Sequence, residues 1–298
     1  MKIVINRPQN WPILEKNKKV NVIFPAFGIL NTEKQKIKDF LKNWQLEPLF
    51  FIEKTQNDLH FLSKSDLDRF EELENAINND INIIFCGSGG YGSSRIILQL
   101  LESSVKIKNK IFLGFSDITS LHLVFNNCFN YPTLHGPMLK QISKGEIDSK
   151  SVEFLYNILS QKKLELSYNI KPINDLSKNI KEQKFPKLLG GNLSLIQTSI
   201  GTKWQINNNG KYSMLIEEYD EKSYVIDRML NHLQNAKIFD NCHVILIGNI
   251  SKVDNQEYLE QILKNFANNI DIPIFKIENI GHKKDNLAIP LGVEITVK

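Results

Sequence analysis

The chain is poor in cysteine. Cys86, Cys128 and Cys242 stand far apart among 298 residues, with no C-x-x-C pair. That spacing provides neither a disulfide framework nor the paired thiolates of a zinc site, and a reducing compartment is the simplest setting. The six histidines show no ligand spacing either, so no metal is expected. Long apolar runs are missing too: no stretch approaches the roughly 18 residues that a membrane helix needs. The N-terminus offers only Ile3 to Ile5 before Asn6 and Arg7, too short for a signal-peptide core. A cytoplasmic protein that does not enter the membrane is the expectation. Charge of one sign is also lacking. The 37 basic and 33 acidic residues leave a formal net charge of +4, spread without a basic stripe, which argues against nucleic acid as a partner. No internal repeat or low-complexity tract interrupts the chain. What remains is 42% hydrophobic, enough for a substantial core in two domains or one large one.

The two halves are patterned differently. From Asn21 to about Leu134, short apolar runs alternate with helical patterns, the arrangement of an α/β domain with a largely parallel sheet. The expected strands are "NVIFPAFG", "EPLFFIE", "INIIFCG" and "IFLGFSD". Between the first two, Thr32 and Gln35 read as a capping box, followed by Ile37, Phe40, Leu41 and Trp44 at i, i+3, i+4 and i+7. Ser65 with Asp68 reads as the cap of a second helix. Its stripe is Leu67, Phe70, Leu73 and Ile77, with Arg69 and the acidic residues on the wet face. Between Ser149 and Lys187 the chain turns polar and lysine-rich and loses clear periodicity. This places an N-terminal domain over 1–165, a linker over 166–185 and a strand-rich, barrel-like C-terminal domain over 186–298. In the last, "YSMLIEEY", "HVILIGNI" and "IPIFKIE" read as strands, and "SYVIDRMLNHLQNA" and "NQEYLEQILKNFANN" as helices.

Two loops carry candidate chemistry. In "FCGSGGYGSSR", Gly87, Gly89 and Gly92 fit the G-x-G-x-x-G of dinucleotide-binding folds, with Asp117 available as a ribose-binding acid. Against that reading, the motif follows the third strand and not the first of a βαβ unit. In "FLGFSDITSLHLVF", Ser116 sits on a tight strand-to-helix turn, as a nucleophile does in α/β hydrolases. Ile118 stands where that turn's second glycine would be, and a helix N-cap is the competing role for the serine.

"CGSGGYGSSRIILQL", "FLGFSDITSLHLVF", "HGPML", "LLGGNLSLI", "LIEEYDEKSYVIDRML" and "GHKKDNLAIPLGVEITV" occur in an order and spacing that resemble the LD-carboxypeptidase family, which includes the microcin-immunity peptidases. The resemblance runs from about Asn21 to the C-terminus. It implies an α/β domain and a strand-rich domain with the active site between them, and a Ser-Glu-His peptidase needing no metal or cofactor. Carried over by motif, the nucleophile is Ser116, the orienting carboxylate Glu217 and the base His282. Gly89 and Gly90, with the Asp117 backbone N–H, are then the oxyanion donors. The implied substrate is a muropeptide tetrapeptide losing its terminal D-alanine during wall recycling. An immunity-type amidase acting on a peptidyl-nucleotide toxin is the alternative, and a homodimer is expected. Two departures bear on specificity: Ser88 stands where the family usually has arginine, and "FPAF" replaces a proline-serine turn.

Strand alternation separates Glu217 from Glu218, so that only one can face His282. A face carrying Met214 and Ile216 leaves Glu217 on the other. His122 reads as a packed histidine, His135 as a residue that lines the cleft, and the Asp117 side chain as a cap on its own helix. His60, His232 and His243 have no supporting neighbours. Tyr224, Asp227 and Arg228 read as organising their helix and the domain interface. Gly190 to Leu195 reads as a tight turn and helix start that shapes the site.

Overall fold

The computed structural model describes residues 1–51, 59–206 and 210–298. The strands in chain order are β1 (Lys2–Asn6), β2 (Lys18–Ile23), β3 (Leu46–Phe50), β4 (Ile83–Cys86), β5 (Ile111–Gly114), β6 (Thr133–His135) and β7 (Glu165–Pro172), then β8 (Gln183–Phe185), β9 (Leu188–Asn192), β10 (Tyr212–Tyr219), β11 (Cys242–Ser251), β12 (Ile274–Ile277), β13 (Ile289–Leu291) and β14 (Ile295–Val297). Each anticipated strand is present with shifted ends, except that Ile52 and Glu53 of "EPLFFIE" lie outside the described residues.

One sheet has the order β3-β2-β4-β5-β6-β13 and is parallel throughout, apart from its last pair. Its inner strands β4 and β5 are buried along their whole length, which explains why they read as unbroken apolar runs. The chain leaves β2 toward β3 and returns across it to β4. The carboxyl ends of β2 and β4 therefore flank a switch in strand order, where open α/β sheets form ligand crevices. The glycine loop and Phe24–Gly28 both start there.

The other sheet, β8-β14-β1-β7-β12-β11-β10-β9, curls into a half-barrel. The strands β9 to β12 pair in parallel and the remainder antiparallel. Two sequence expectations need correction. The 166–185 linker holds β7, which joins β1 to β12 in the middle of the sheet, and also β8. Its "ELSYNIKP" alternates exposed and buried residues, placing Leu166, Tyr168 and Ile170 in the core beneath a polar outer face of Glu165, Ser167, Asn169 and Lys171. Strand β1, at the start of the supposed N-terminal domain, pairs with β14 and β7 of the second sheet. The C-terminal strand β13 crosses the other way, onto β6.

The helix Asn31–Asn43 starts earlier than the proposed capping box: Glu33 accepts the Leu30 amide at 2.9 Å, and Leu30 has no side-chain acceptor to complete a box. In the helix Asp66–Asn78, Ser65 accepts the Asp68 amide at 3.1 Å, as anticipated. Its wet face is not wet at Arg69, which is fully buried, or at Glu72, which is buried against Lys64 at 2.9 Å. Arg69 donates to the carbonyl oxygens of Pro25 and Gly92 and to Asp66. Glu72 accepts the Phe24 amide at 3.0 Å. Both charges fasten loops at the sheet's switch point.

Because β1 lies between β14 and β7, its apolar residues support a sheet formed mostly by the second half of the chain. Ile5→Ala removes a side chain that is 1% exposed in that core. A loss of about 2–5 kcal/mol in unfolding free energy is expected. Denaturant unfolding at matched m-value measures it.

Candidate active site

The turn after β5 holds Ser116 at φ 62°, a left-handed conformation that costs an L-residue roughly 1–2 kcal/mol. The surroundings hold it there. A Cβ on Gly114 would stand 2.7 Å from Ile118 Cγ2, so the bulk that replaces the turn's second glycine demands a bare backbone at the first. The Gly114 carbonyl accepts the Gly136 amide at 3.1 Å and faces His122 Nε2 at 2.8 Å. His122 is a core histidine, its pKa lowered to about 3 chiefly by burial. The Asp117 carboxylate does not cap its own helix. It accepts the Ser93 amide at 2.8 Å, and Ser93 Oγ donates to the Asp117 carbonyl at 2.6 Å. Burial raises the Asp117 pKa, while the Ser93 and Gly92 hydrogen bonds and Arg69 oppose that shift. The carboxylate therefore ties the glycine loop to the serine turn and is not presented to a ribose.

The glycine loop is held on both sides. The Gly87 amide donates to Ile23 O at 2.8 Å, its carbonyl accepts the Lys140 amide at 3.0 Å, and Gly89 O accepts the Phe27 amide at 3.1 Å. Ser88 Oγ donates to Phe27 O at 2.5 Å. A Cβ on Gly89 would lie 3.6 Å from Ser116 Oγ, so the loop backbone runs directly beside the hydroxyl. Gly90 has φ 106°, and a Cβ there would meet the Phe27 ring at 2.4 Å. Among the described residues, the Gly89 and Gly90 N–H groups donate to no protein acceptor.

Glu217 and His282 come from opposite ends of the second half. Glu217, on β10, is fully buried, and its Oε2 meets His282 Nδ1 at 2.7 Å. A Cβ on Gly281 would lie 3.1 Å from Glu217 Oε2, and one on Gly248 3.3 Å from Glu217 Cβ. The loop before His282 is anchored by Asn249 N to Ile280 O at 2.7 Å and Gly281 N to Asn286 Oδ1 at 3.2 Å. The imidazole packs between Phe115, at 4.6 Å, and Tyr219, stacked at 4.8 Å, with Lys252 Nζ on the Tyr219 ring at 4.7 Å. Burial alone would raise the Glu217 pKa. The charge of His282, with lesser contributions from hydrogen bonding and from His135, outweighs it and holds the group at about 2. His135 Nε2 lies 3.9 Å from Glu217 Oε1, beyond direct hydrogen bonding. Neither His135 nitrogen nor Glu217 Oε1 has a hydrogen-bond partner among the described residues. Instead of lining the cleft, His135 is fully buried behind the carboxylate.

Glu218 points the other way, as strand alternation requires. It accepts Asn192 Nδ2 at 2.7 Å, Ser194 N at 2.8 Å, Ser194 Oγ at 2.7 Å and the Tyr219 amide at 2.8 Å. The turn Gly190 to Leu195 is thus secured to β10 through Glu218.

Ser116 and His282 line one cavity of about 220 Å³, together with Gly89, Gly90, Met138 and Lys140. Nδ1 of His282 is engaged by Glu217, which leaves Nε2 as the ring's free basic nitrogen. A hydroxyl, an imidazole oriented by a carboxylate and two free N–H groups around one cavity can carry out acyl transfer. Tyr224 is exposed on the helix Ser223–Asn235, and His232 meets Gln197 at 2.6 Å there. Neither lines this cavity, nor do His60 and His243. Sequence reasoning missed Arg69, Tyr219, Met138 and Lys140, whose roles depend on contacts between distant segments.

Because the Glu217 carboxyl is held below its ordinary value, its contribution to stability is present above about pH 4.5 and lost as pH falls through about 2. Wild type should therefore exceed Glu217→Gln in Tm at about pH 5, and the gap should narrow toward about pH 2. Thermal melts of the two proteins across that range test this.

Residues 20–136 match the model of the LD-carboxypeptidase N-terminal domain, and residues 186–297 that of the LD-carboxypeptidase C-terminal domain. A putative carboxypeptidase of Rickettsia conorii is 36% identical over 91% of this chain and 85% of its own length. A probable murein peptide carboxypeptidase of Bacillus subtilis is 29% identical over 80% and 76%. The crystal structure of muramoyltetrapeptide carboxypeptidase from Oxalobacter formigenes shares the fold, with TM-score 0.77 and 19% identity over 93% of this chain and 97% of that one. So does a microcin C7 self-immunity protein, with TM-score 0.81 and 17% identity over 98% and 96%.

Proposed function

The chain belongs to the LD-carboxypeptidase family, and on that premise we propose that it removes the terminal D-alanine from murein tetrapeptides by a serine acyl-enzyme route. The observation that carries the reading is the 2.7 Å bond from buried Glu217 to an imidazole that shares a cavity with Ser116. His282 Nε2 takes the Ser116 proton as Oγ attacks the carbonyl carbon between the L-centred diamino acid and D-alanine. The Glu217 charge stabilises the imidazolium formed. The developing oxyanion is met by the N–H groups of Gly89 and Gly90, with that of Asp117 after the nucleophile. When the C–N bond breaks, His282 returns the proton to the departing amine, and water then hydrolyses the ester with the same base. The glycine loop that fits a dinucleotide fingerprint is read as serving this chemistry: at Gly89 its backbone runs beside Ser116, and Asp117 is engaged by Ser93.

A second reading has support from the fold shared with a microcin C7 self-immunity protein: cleavage of an amide in a peptidyl-nucleotide by the same residues. The two differ in the leaving group, not in the acyl step.

Incubation with a defined tetrapeptide, followed by mass spectrometry, should show tripeptide and free D-alanine. Intact tetrapeptide alongside cleaved peptidyl-nucleotide would favour the second reading. Glu217→Gln should lower kcat by about 10⁴, as for the equivalent carboxylate in other triads. Glu218→Gln, which disturbs the hydrogen bonds to Asn192 and Ser194, should lower stability while costing kcat less than about tenfold.

Gly90→Val both introduces a side chain at φ 106° and drives it into the Phe27 ring. The loop should rotate its N–H away from the cavity, with a kcat loss of about 10²–10³. Near-normal kcat in a folded Gly90→Val protein would remove Gly90 from the donor set.

A further inference from the structure

We infer that Lys140 is the residue that recognises the free C-terminal carboxylate of the substrate, and so makes this site a carboxypeptidase and not an internal peptidase. The inference rests on the peptidase reading above. A carboxypeptidase of this kind must hold an anion one residue beyond the scissile carbonyl. The cavity shared by Ser116 and His282 is lined by apolar rings, glycines, Ser88, Gln141 and Met138, and by one permanently charged side chain, Lys140. No carboxylate lines it among the described residues.

The placement of Lys140 is rigid where it needs to be. Its amide donates to Gly87 O at 3.0 Å, which ties its backbone to the base of the glycine loop that runs past Ser116. Its ammonium lies 3.3 Å from Glu33 Oε1, and that pairing does not neutralise it. Lys144 Nζ occupies the same oxygen more closely, at 2.6 Å. Burial would raise the Glu33 pKa, but the Lys144 bond, the Leu30 amide and Lys140 together hold it at about 2, so it carries one full negative charge against two positive ones. The trio keeps one positive charge in excess, and of its three members Lys140 is the one that lines the cavity. The Lys140 side chain is 34% exposed, enough to reach a ligand while its charge is less screened than a free surface lysine.

The Lys140 assignment is tested in the full chain with a tetrapeptide ending in D-alanine and the same peptide ending in D-alaninamide. Wild type should favour the acid in kcat/KM by about 10-fold or more, the scale expected for a hydrogen bond to a charged group, and chiefly through KM. Lys140→Met should use both peptides at the rate wild type shows with the amide, and Lys140→Arg should keep the preference. An unchanged acid-to-amide ratio in Lys140→Met overturns the assignment. Calorimetry in the Ser116→Ala background separates this from failure of the peptidase reading. An acid-over-amide affinity lost with Lys140→Met supports the assignment even if wild type turns over neither peptide, an outcome that would sink the peptidase reading alone. Equal affinities for acid and amide with Lys140 in place overturn the assignment.

Discussion

A carboxylate with no exposed surface is the constraint around which the second half of this protein is arranged. Removing Glu217 from water is costly unless an opposite charge and hydrogen bonds are already in place. His282 supplies both through one 2.7 Å contact, and His135 stands behind the other oxygen. That contact requires Gly248 and Gly281 to leave room, Asn249 and Asn286 to fix the loop, and Phe115 and Tyr219 to fix the ring. Phe115 is also the residue before Ser116. The aromatic packing that orients the imidazole is therefore continuous with the turn that presents the hydroxyl.

Buried charge is used again on the first sheet, for fastening. Arg69, Glu72 and Asp117 each bond backbone groups of the loops at this end of the sheet, Arg69 also pairing with Asp66 and Glu72 with Lys64. Truncating such a group leaves buried partners unsatisfied, so these residues hold the loops in position. Helix Asp66–Asn78 is in this sense a strut whose charged residues Arg69 and Glu72 are turned inward.

Much of this was legible along the chain. The apolar runs of β2, β4 and β5 read correctly because a parallel strand is buried on both faces, and Glu217 and Glu218 were separated by alternation alone. Where reading failed, the cause was long-range. Strand β7 looked like a linker because its outer face is polar and its inner face is hidden under sequence distant from it. Arg69 looked solvated because charge normally is; its partners Pro25 and Gly92 lie 44 and 23 residues away. Asp117 was given the nearest helix to cap, but its hydrogen bond goes to Ser93, 24 residues back.

The sequence by itself determined four strands of the first sheet, β2 to β5, the glycine loop and serine turn at two of their carboxyl ends, and that two adjacent glutamates face opposite ways. These follow from local rules of periodicity, side-chain alternation and backbone freedom. Only the tertiary structure decided that the first strand completes the last sheet, that Asp117 and Arg69 bind loops, that His135 backs the carboxylate and that Lys140 shares a cavity with Ser116. Each of these is a contact across tens to hundreds of residues, and the physics that selects it, burial of apolar side chains for the first strand and the pairing of charged and polar groups for the others, depends on partners brought together by folding and has no counterpart in the linear order of the chain.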